Sequence, residues 1–118
     1  MMKSGIRYEQ GEIVLAPFPF TDLSTIKQRP LLVISNNNYN DKTEDLVTCG
    51  ITSNPKDAEF SVLIDNKDLI SGSIPLKSRI KVDKLFTLNQ KIIKKKIAKI
   101  NNEKFFEVKK ELLILKLL

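Results

Sequence analysis

The sequence predicts a mainly β domain, a small barrel of short strands closed by one C-terminal helix. Three observations carry that expectation. Runs of β-forming residues of strand length recur between clusters of Asn, Asp, Ser and Pro from Glu12 to Ile100. From Glu103 onward the apolar spacing changes to that of an amphipathic helix. A chain of 118 residues holds one hydrophobic core and is too short for two, so residues 1–118 are read as a single domain.

Glu12-Ile-Val-Leu-Ala16 is an apolar run stopped by Pro17 and Pro19, so a first strand is expected to give way there to an irregular loop reaching Gln28. A structureless stretch of that length in a small domain is usually functional or disordered, and a functional loop is expected here. Pro30 opens Leu31-Leu-Val-Ile-Ser35, a continuous apolar run expected to be a central strand. Asn36 to Asp41 is turn chemistry; Leu46 to Thr52 reads as a third strand ending in Ser53-Asn54-Pro55, and Phe60 to Ile64 as a fourth. Arg79-Ile-Lys-Val-Asp83 alternates, which puts Arg79, Lys81 and Asp83 on one face and Ile80 and Val82 in the core, and the pattern runs on to Leu88. Lys94 to Ile100 is a further short strand after a turn near Asn89 and Gln90. In the closing helix Phe105, Val108, Leu112 and Leu115 form one stripe, with Asn101 or Asn102 as N-cap. The chain carries no internal repeat, low-complexity segment or linker.

Composition excludes several classes of function. No apolar run is longer than that of Leu112 to Leu115, far short of the roughly 20 residues of a membrane helix, so no membrane partner is expected. Met1 to Gly11 carries Lys3, Arg7 and Glu9 with no apolar core behind them, so no secretory signal is expected and the location expected is cytoplasmic. Cys49 stands alone and His is absent, which excludes an internal disulfide and removes the usual zinc ligand sets. No metal or cofactor is expected, and acid–base chemistry has to rest on Arg, Lys, carboxylates or hydroxyls. Twenty Lys and Arg against fourteen Asp and Glu give a net charge of +6, which favours a polyanionic partner. Part of that excess is local, at Lys91, Lys94, Lys95, Lys96 and Lys99, where a solvated face explains the run as well as a binding surface does.

Four segments, in this order, resemble the MazF/PemK toxin family: Gly11-Glu-Ile-Val-Leu-Ala-Pro-Phe-Pro-Phe-Thr-Asp22, Gln28-Arg-Pro-Leu-Leu-Val-Ile-Ser35, Gly50-Ile-Thr-Ser53 and Ile80-Lys-Val-Asp-Lys-Leu-Phe-Thr-Leu88. The resemblance covers most of the chain. It implies an SH3-like barrel with a C-terminal helix, usually a homodimer. It also implies a metal-independent endoribonuclease that cleaves single-stranded RNA at short sequences and is silenced by a cognate antitoxin. An acidic, partly disordered antitoxin would complement the basic charge of this chain.

The resemblance also assigns roles. RNA transesterification uses the substrate's own 2′-OH as nucleophile, so the enzyme can act by positioning and charge stabilisation. Arg29 matches a catalytic arginine; its planar guanidinium holds two phosphate oxygens at once, and Pro30 restricts its backbone to extended geometry. Thr52 matches a hydroxyl that donates to the scissile phosphate, with Ser53 beside it. Lys81 and Asp83 match an Arg-x-Asp pair in the PemK branch, in which the Asp is the proposed general base; here Lys replaces Arg, and a structural ion pair is the competing reading. Phe18 and Phe20, with Lys27 and Gln28 adjoining, are candidates for stacking and holding RNA, against the competing reading of Phe as core. Two other functions stay open on this evidence. One is a non-catalytic RNA- or ribosome-binding module of the same fold, which would need neither Arg29 nor Thr52. The other is a toxin of this fold that poisons DNA gyrase through its C-terminal helix.

Overall fold

Successive side chains of a β-strand leave opposite faces, and both faces of the first strand are buried. Ile13 of β1 (Glu12–Pro19) belongs to one core, and Val14 and Ala16 to another. A computed structural model describes residues 6–19 and 26–116, with residues 18, 19, 26 and 116 defined by their backbone alone. The same division holds in β2 (Ile26–Val33), where Leu32 joins Ile13 while Leu31 and Val33 join Val14. Full burial on both sides is why these segments read as unbroken apolar runs.

The other strands are β3 (Asp45–Thr52), β4 (Ser61–Ile64), β5 (Leu69–Gly72), β6 (Ser78–Asn89) and β7 (Lys95–Ile100). All pair antiparallel in one curled sheet of order β4-β6-β3-β2-β1-β7-β5, a half-barrel closed by a C-terminal helix as expected. That helix, α2 (Asn102–Lys116), docks on β4 and β6 through Phe105 and Val108, with Leu112 packed at the edge of the first core. Asn101 is the N-cap, its Oδ1 accepting from the Lys104 N–H at 2.7 Å.

Three expectations change. The loop expected from Pro17 to Gln28 is strand at both of its described ends: β1 and β2 stay in register from Ile13 opposite Leu32 out to Pro19 opposite Ile26. Pro17 and Pro19 do not break β1, because the Leu15 carbonyl accepts from Lys94 N on the β7 side and β7 pairs no further than Leu15. The backbone groups of residues 17 and 19 therefore point to an open edge, where a missing N–H costs nothing. Likewise β3 pairs with β2 only from Leu31, leaving Pro30 just beyond it. The outcome is a two-stranded ribbon projecting from the sheet, with Arg29 at its base. The Phe18 side chain and all of Phe20, the expected stacking residues, lie outside the described residues.

Second, the Asn36–Asp41 turn is a short helix, α1 (Asn37–Lys42), because the Asn36 side chain caps it by accepting from Tyr39 N. Third, the alternation of β6 is interrupted. Gly50 faces Lys81 and the preceding Cys49 faces Leu85, so residues 82–84 form a bulge between consecutive β3 partners. The short strand β5 was not anticipated.

A polar knot ties α1 to the sheet. Gln90 Nε2 donates to the carbonyls of Asn40, Thr43 and Asp45, at 2.9, 3.3 and 3.0 Å, and buried Asn40 donates to Tyr8 O and Ser35 O. Replacing Gln90 by Ala leaves carbonyls without their donor. The Gln90→Ala variant is expected to lose about 1–3 kcal/mol of stability, read as a lower denaturant midpoint at unchanged slope.

Candidate functional site

The pairing of β2 with β3 brings together two residues far apart in sequence. Leu31 lies opposite Gly50, so following the two strands outward brings Pro30 abreast of Ile51 and Arg29 abreast of Thr52. Arg29 and Thr52 line one groove of about 310 Å³ together with Leu31, Ser53, Lys81 and Lys84. Its floor is low at Gly50, where a β-carbon would already stand 3.6 Å from Lys84 Cβ and 3.7 Å from the Phe86 ring. Any longer side chain there would fill the groove.

Thr52 is held by its own turn. Its Oγ1 accepts from the Asn54 N–H at 3.2 Å, and Asn54 Oδ1 accepts from Lys56 N at 3.1 Å. With its oxygen lone pair so engaged, the Thr52 hydroxyl proton is available to donate outward. Arg79 anchors the far side of this turn: its guanidinium donates to Pro55 O and to Ser61 Oγ, and lies 3.2 Å from Asp57. Its charge is thereby spent on holding residues 55–57.

Beyond Thr52 the groove continues into a second depression of about 340 Å³, which shares Thr52, Lys81 and Lys84 and adds Lys56, Asp57 and Arg79. Lys81 and Lys84 form no ion pair among the described residues. The track from Arg29 to Lys56 is thus predominantly positive, which favours a phosphodiester backbone.

The expected site residues divide clearly. Arg29, Thr52, Ser53 and Lys81 come together in one groove. Asp83 does not line it: it sits exposed within the β6 bulge, on the way to Cys49. Lys27 and Gln28 are exposed on the ribbon and line none of these depressions. Lys84, Gly50 and Phe86 were missed. Strict alternation assigns Lys84 to the face opposite Lys81, and only the bulge brings both into the groove. The lysine run of β7 is partly structural, since Lys96 pairs with Glu12 at 3.2 Å beside the Tyr8 ring and Lys99 with Glu9 at 2.8 Å.

The PemK-like, MazF-like toxin family of type II toxin–antitoxin systems matches residues 9–115. Among solved structures, a MazE–MazF complex from Deinococcus radiodurans superposes with a TM-score of 0.76 at 22% identity, covering 93% of this chain and 96% of its own. An endoribonuclease from a mycobacterial species superposes with a TM-score of 0.74 at 19% identity, covering 95% and 93%. A second, in complex with its cognate antitoxin, gives 0.71 at 18% identity, covering 91% and 92%. At these identities the likeness is one of fold. No curated protein matches the chain in sequence.

Burial, reinforced by the charge of Asp83, pushes the Cys49 thiol from its ordinary 9.0 up to about 12. The buried thiol is expected to resist alkylation at pH 8 until the protein unfolds, with a thiolate fraction about 1,000-fold below that of the unfolded chain. Because the folded value is the higher one, the associated stability is intact below pH 9.0 and declines as the pH rises toward about 12. Thiol labelling against denaturant, and melting temperature against pH, check both statements.

Proposed function

Because the chain belongs to the PemK-like, MazF-like toxin family, we propose that it is the toxin of a type II toxin–antitoxin pair and cleaves single-stranded RNA at short sequences. The observation that carries this reading is the adjacency of Arg29 and Thr52 on neighbouring strands, lining one groove with Lys81 and Lys84 and no carboxylate. A guanidinium beside a hydroxyl donor suits a phosphorane, whose charge grows on the non-bridging oxygens as the reaction proceeds.

The ribose 2′-oxygen bonds to phosphorus and the P–O5′ bond breaks, leaving a 2′,3′-cyclic phosphate and a 5′-OH end. The 2′-OH proton passes to water, and the departing 5′-oxygen takes a proton from water. Arg29 holds two phosphate oxygens in its fork, and Thr52 donates to the charge that develops. Asp83, outside the groove lining, is assigned no proton transfer. Lys81 and Lys84 hold the strand on either side of the reacting group. The chemistry runs on the chain's own side chains, without a metal. An acidic antitoxin segment would silence the protein by occupying the same positive track, and the working form is a homodimer in the cytoplasm.

Arg29→Ala is expected to cut the cleavage rate by about 10²–10³, and Thr52→Val by about 10², with thermal midpoints close to wild type. Arg29→Lys should not restore the rate, because a point charge cannot form the two-pronged contact. The assay is fluorogenic RNA in excess chelator, with the new ends identified as 5′-OH. Activity of Arg29→Ala within about threefold of wild type would remove Arg29 from the mechanism. Retention of intact RNA by the wild type would make the protein a binder only.

A second measurement tests the track. The double variant Lys81→Gln, Lys84→Gln should bind an oligonucleotide blocked by 2′-deoxy substitution at the cut site more weakly. The slope of log affinity against log salt should fall by about 1.4.

A further inference from the structure

Arg29, Pro30, Ile51 and Ser53 line more than the basic groove. The same residues form one wall of a separate cavity of about 430 Å³, which opens on the other face of the sheet, where the first core comes to the surface. Its floor is Ile13, Ile51 and Ile74, and its sides are Leu15, Ile97, Pro75 and Leu76, with Lys95 at the rim. The chemistry changes across the Arg29–Ser53 lip. One side adds Lys81 and Lys84 to Arg29; the other is lined mainly by apolar side chains, with a few hydroxyls, Lys95 and no carboxylate.

The wall opposite Arg29 is fixed in advance. Asn66 clamps Ile74 twice, donating to Ile74 O at 3.1 Å and accepting from Ile74 N at 2.8 Å. Gly72 has φ +73°, and a β-carbon there would stand 2.0 Å from Ile97 O, so only glycine lets the turn press against β7. Ser73 N donates to Ile97 O, and the Ser78 hydroxyl donates to Leu76 O. With Ser78 so engaged, the hydroxyls a guest would meet are those of Ser53 and Ser73. Leu76 nevertheless keeps 59% of its surface exposed, an apolar side chain presented at the mouth of a braced cavity.

We infer that this cavity is a nucleobase site: it takes the base next to the phosphodiester held by Arg29 and so selects where the RNA is cut. The inference rests on the cleavage reading above. A strand whose phosphate lies on the shared lip has its neighbouring base within reach of the cavity. A base offers apolar faces to Leu15, Leu76, Pro75 and Ile97 and polar edges to Ser53 and Ser73, and the positive rim of Arg29 and Lys95 accepts the attached phosphates. Cavities of about 300–1,000 Å³ with apolar walls and few polar groups are the usual form of small-ligand sites. Division of labour follows, with Arg29 and Thr52 acting on the phosphate and the cavity reading the base.

The test is cleavage of a randomised RNA pool by wild type, Leu76→Ala and Ser73→Ala, followed by sequencing of the new 5′ ends. Both substitutions fall on exposed positions outside the basic groove. The expected result is a change of about 10-fold in base preference at one position beside the cut, with the preferences at other positions kept. If wild type leaves the pool intact, the cleavage reading fails and the base site falls with it. If wild type cuts with a defined preference that both variants keep, cleavage stands and the base site alone is overturned. A kept preference together with an altered oligomeric mass would assign the cavity to a second copy of the chain, and equally overturns it.

Discussion

The register between β2 and β3 is the constraint on which the rest of this molecule depends. Leu31 opposite Gly50, Leu32 opposite Cys49 and Val33 opposite Thr48 set one strand against the other, and side chains alternate with a period of two. The register places Leu32 beside Ile13 in the first core and Leu31 beside Val14 in the second, and a slip of one residue would exchange the two and carry Arg29 out of line with Thr52. The same pairing carried past its last ladder residue brings Arg29 to Thr52. The hydrophobic arrangement that stabilises the sheet therefore also aligns Arg29 with Thr52 at its end, where the turn after Thr52 holds the hydroxyl in place.

Charge is distributed by task. Arg79 is tied to Asp57, Pro55 and Ser61, Lys99 to Glu9, and Lys96 to Glu12, so these cations brace loops and strands. Lys81 and Lys84 stand in the groove without ion-pair partners among the described residues. The net charge of +6 overstates how much of the surface is available to a polyanion and understates how concentrated that part is. The bulge in β6 makes the concentration possible, because it lets residues three apart on one strand serve a single groove.

The sequence made the core strands readable wherever burial is two-sided, since Leu31-Leu32-Val33 leaves a run that no turn would tolerate. The helix was readable from the spacing of Phe105, Val108 and Leu112, and Asn101 from its place ahead of them. Pro17 and Pro19 misled because proline signals a strand end only if the edge it faces is paired, and that is a property of β7, not of β1. The position of Lys84 was hidden for a related reason: a bulge is invisible to a rule of alternation. Leu69–Gly72 carries too few apolar residues to announce a strand and owes its conformation to β7. Arg29, Thr52, Ser53 and Lys81 were identified through the order of the four family-like segments; nothing local to any of them indicates that they meet.

The prolines of the projecting ribbon have a bearing on solubility. A ribbon that leaves the body of a sheet offers an unpaired backbone to any passing strand, and such edges are where chains stick to one another. Along the β1 edge of the ribbon the outward positions that would supply donors are occupied by Pro17 and Pro19, which have none. On that side the ribbon can stand clear of the sheet, beside the groove it borders, without offering the donors a further strand would pair with.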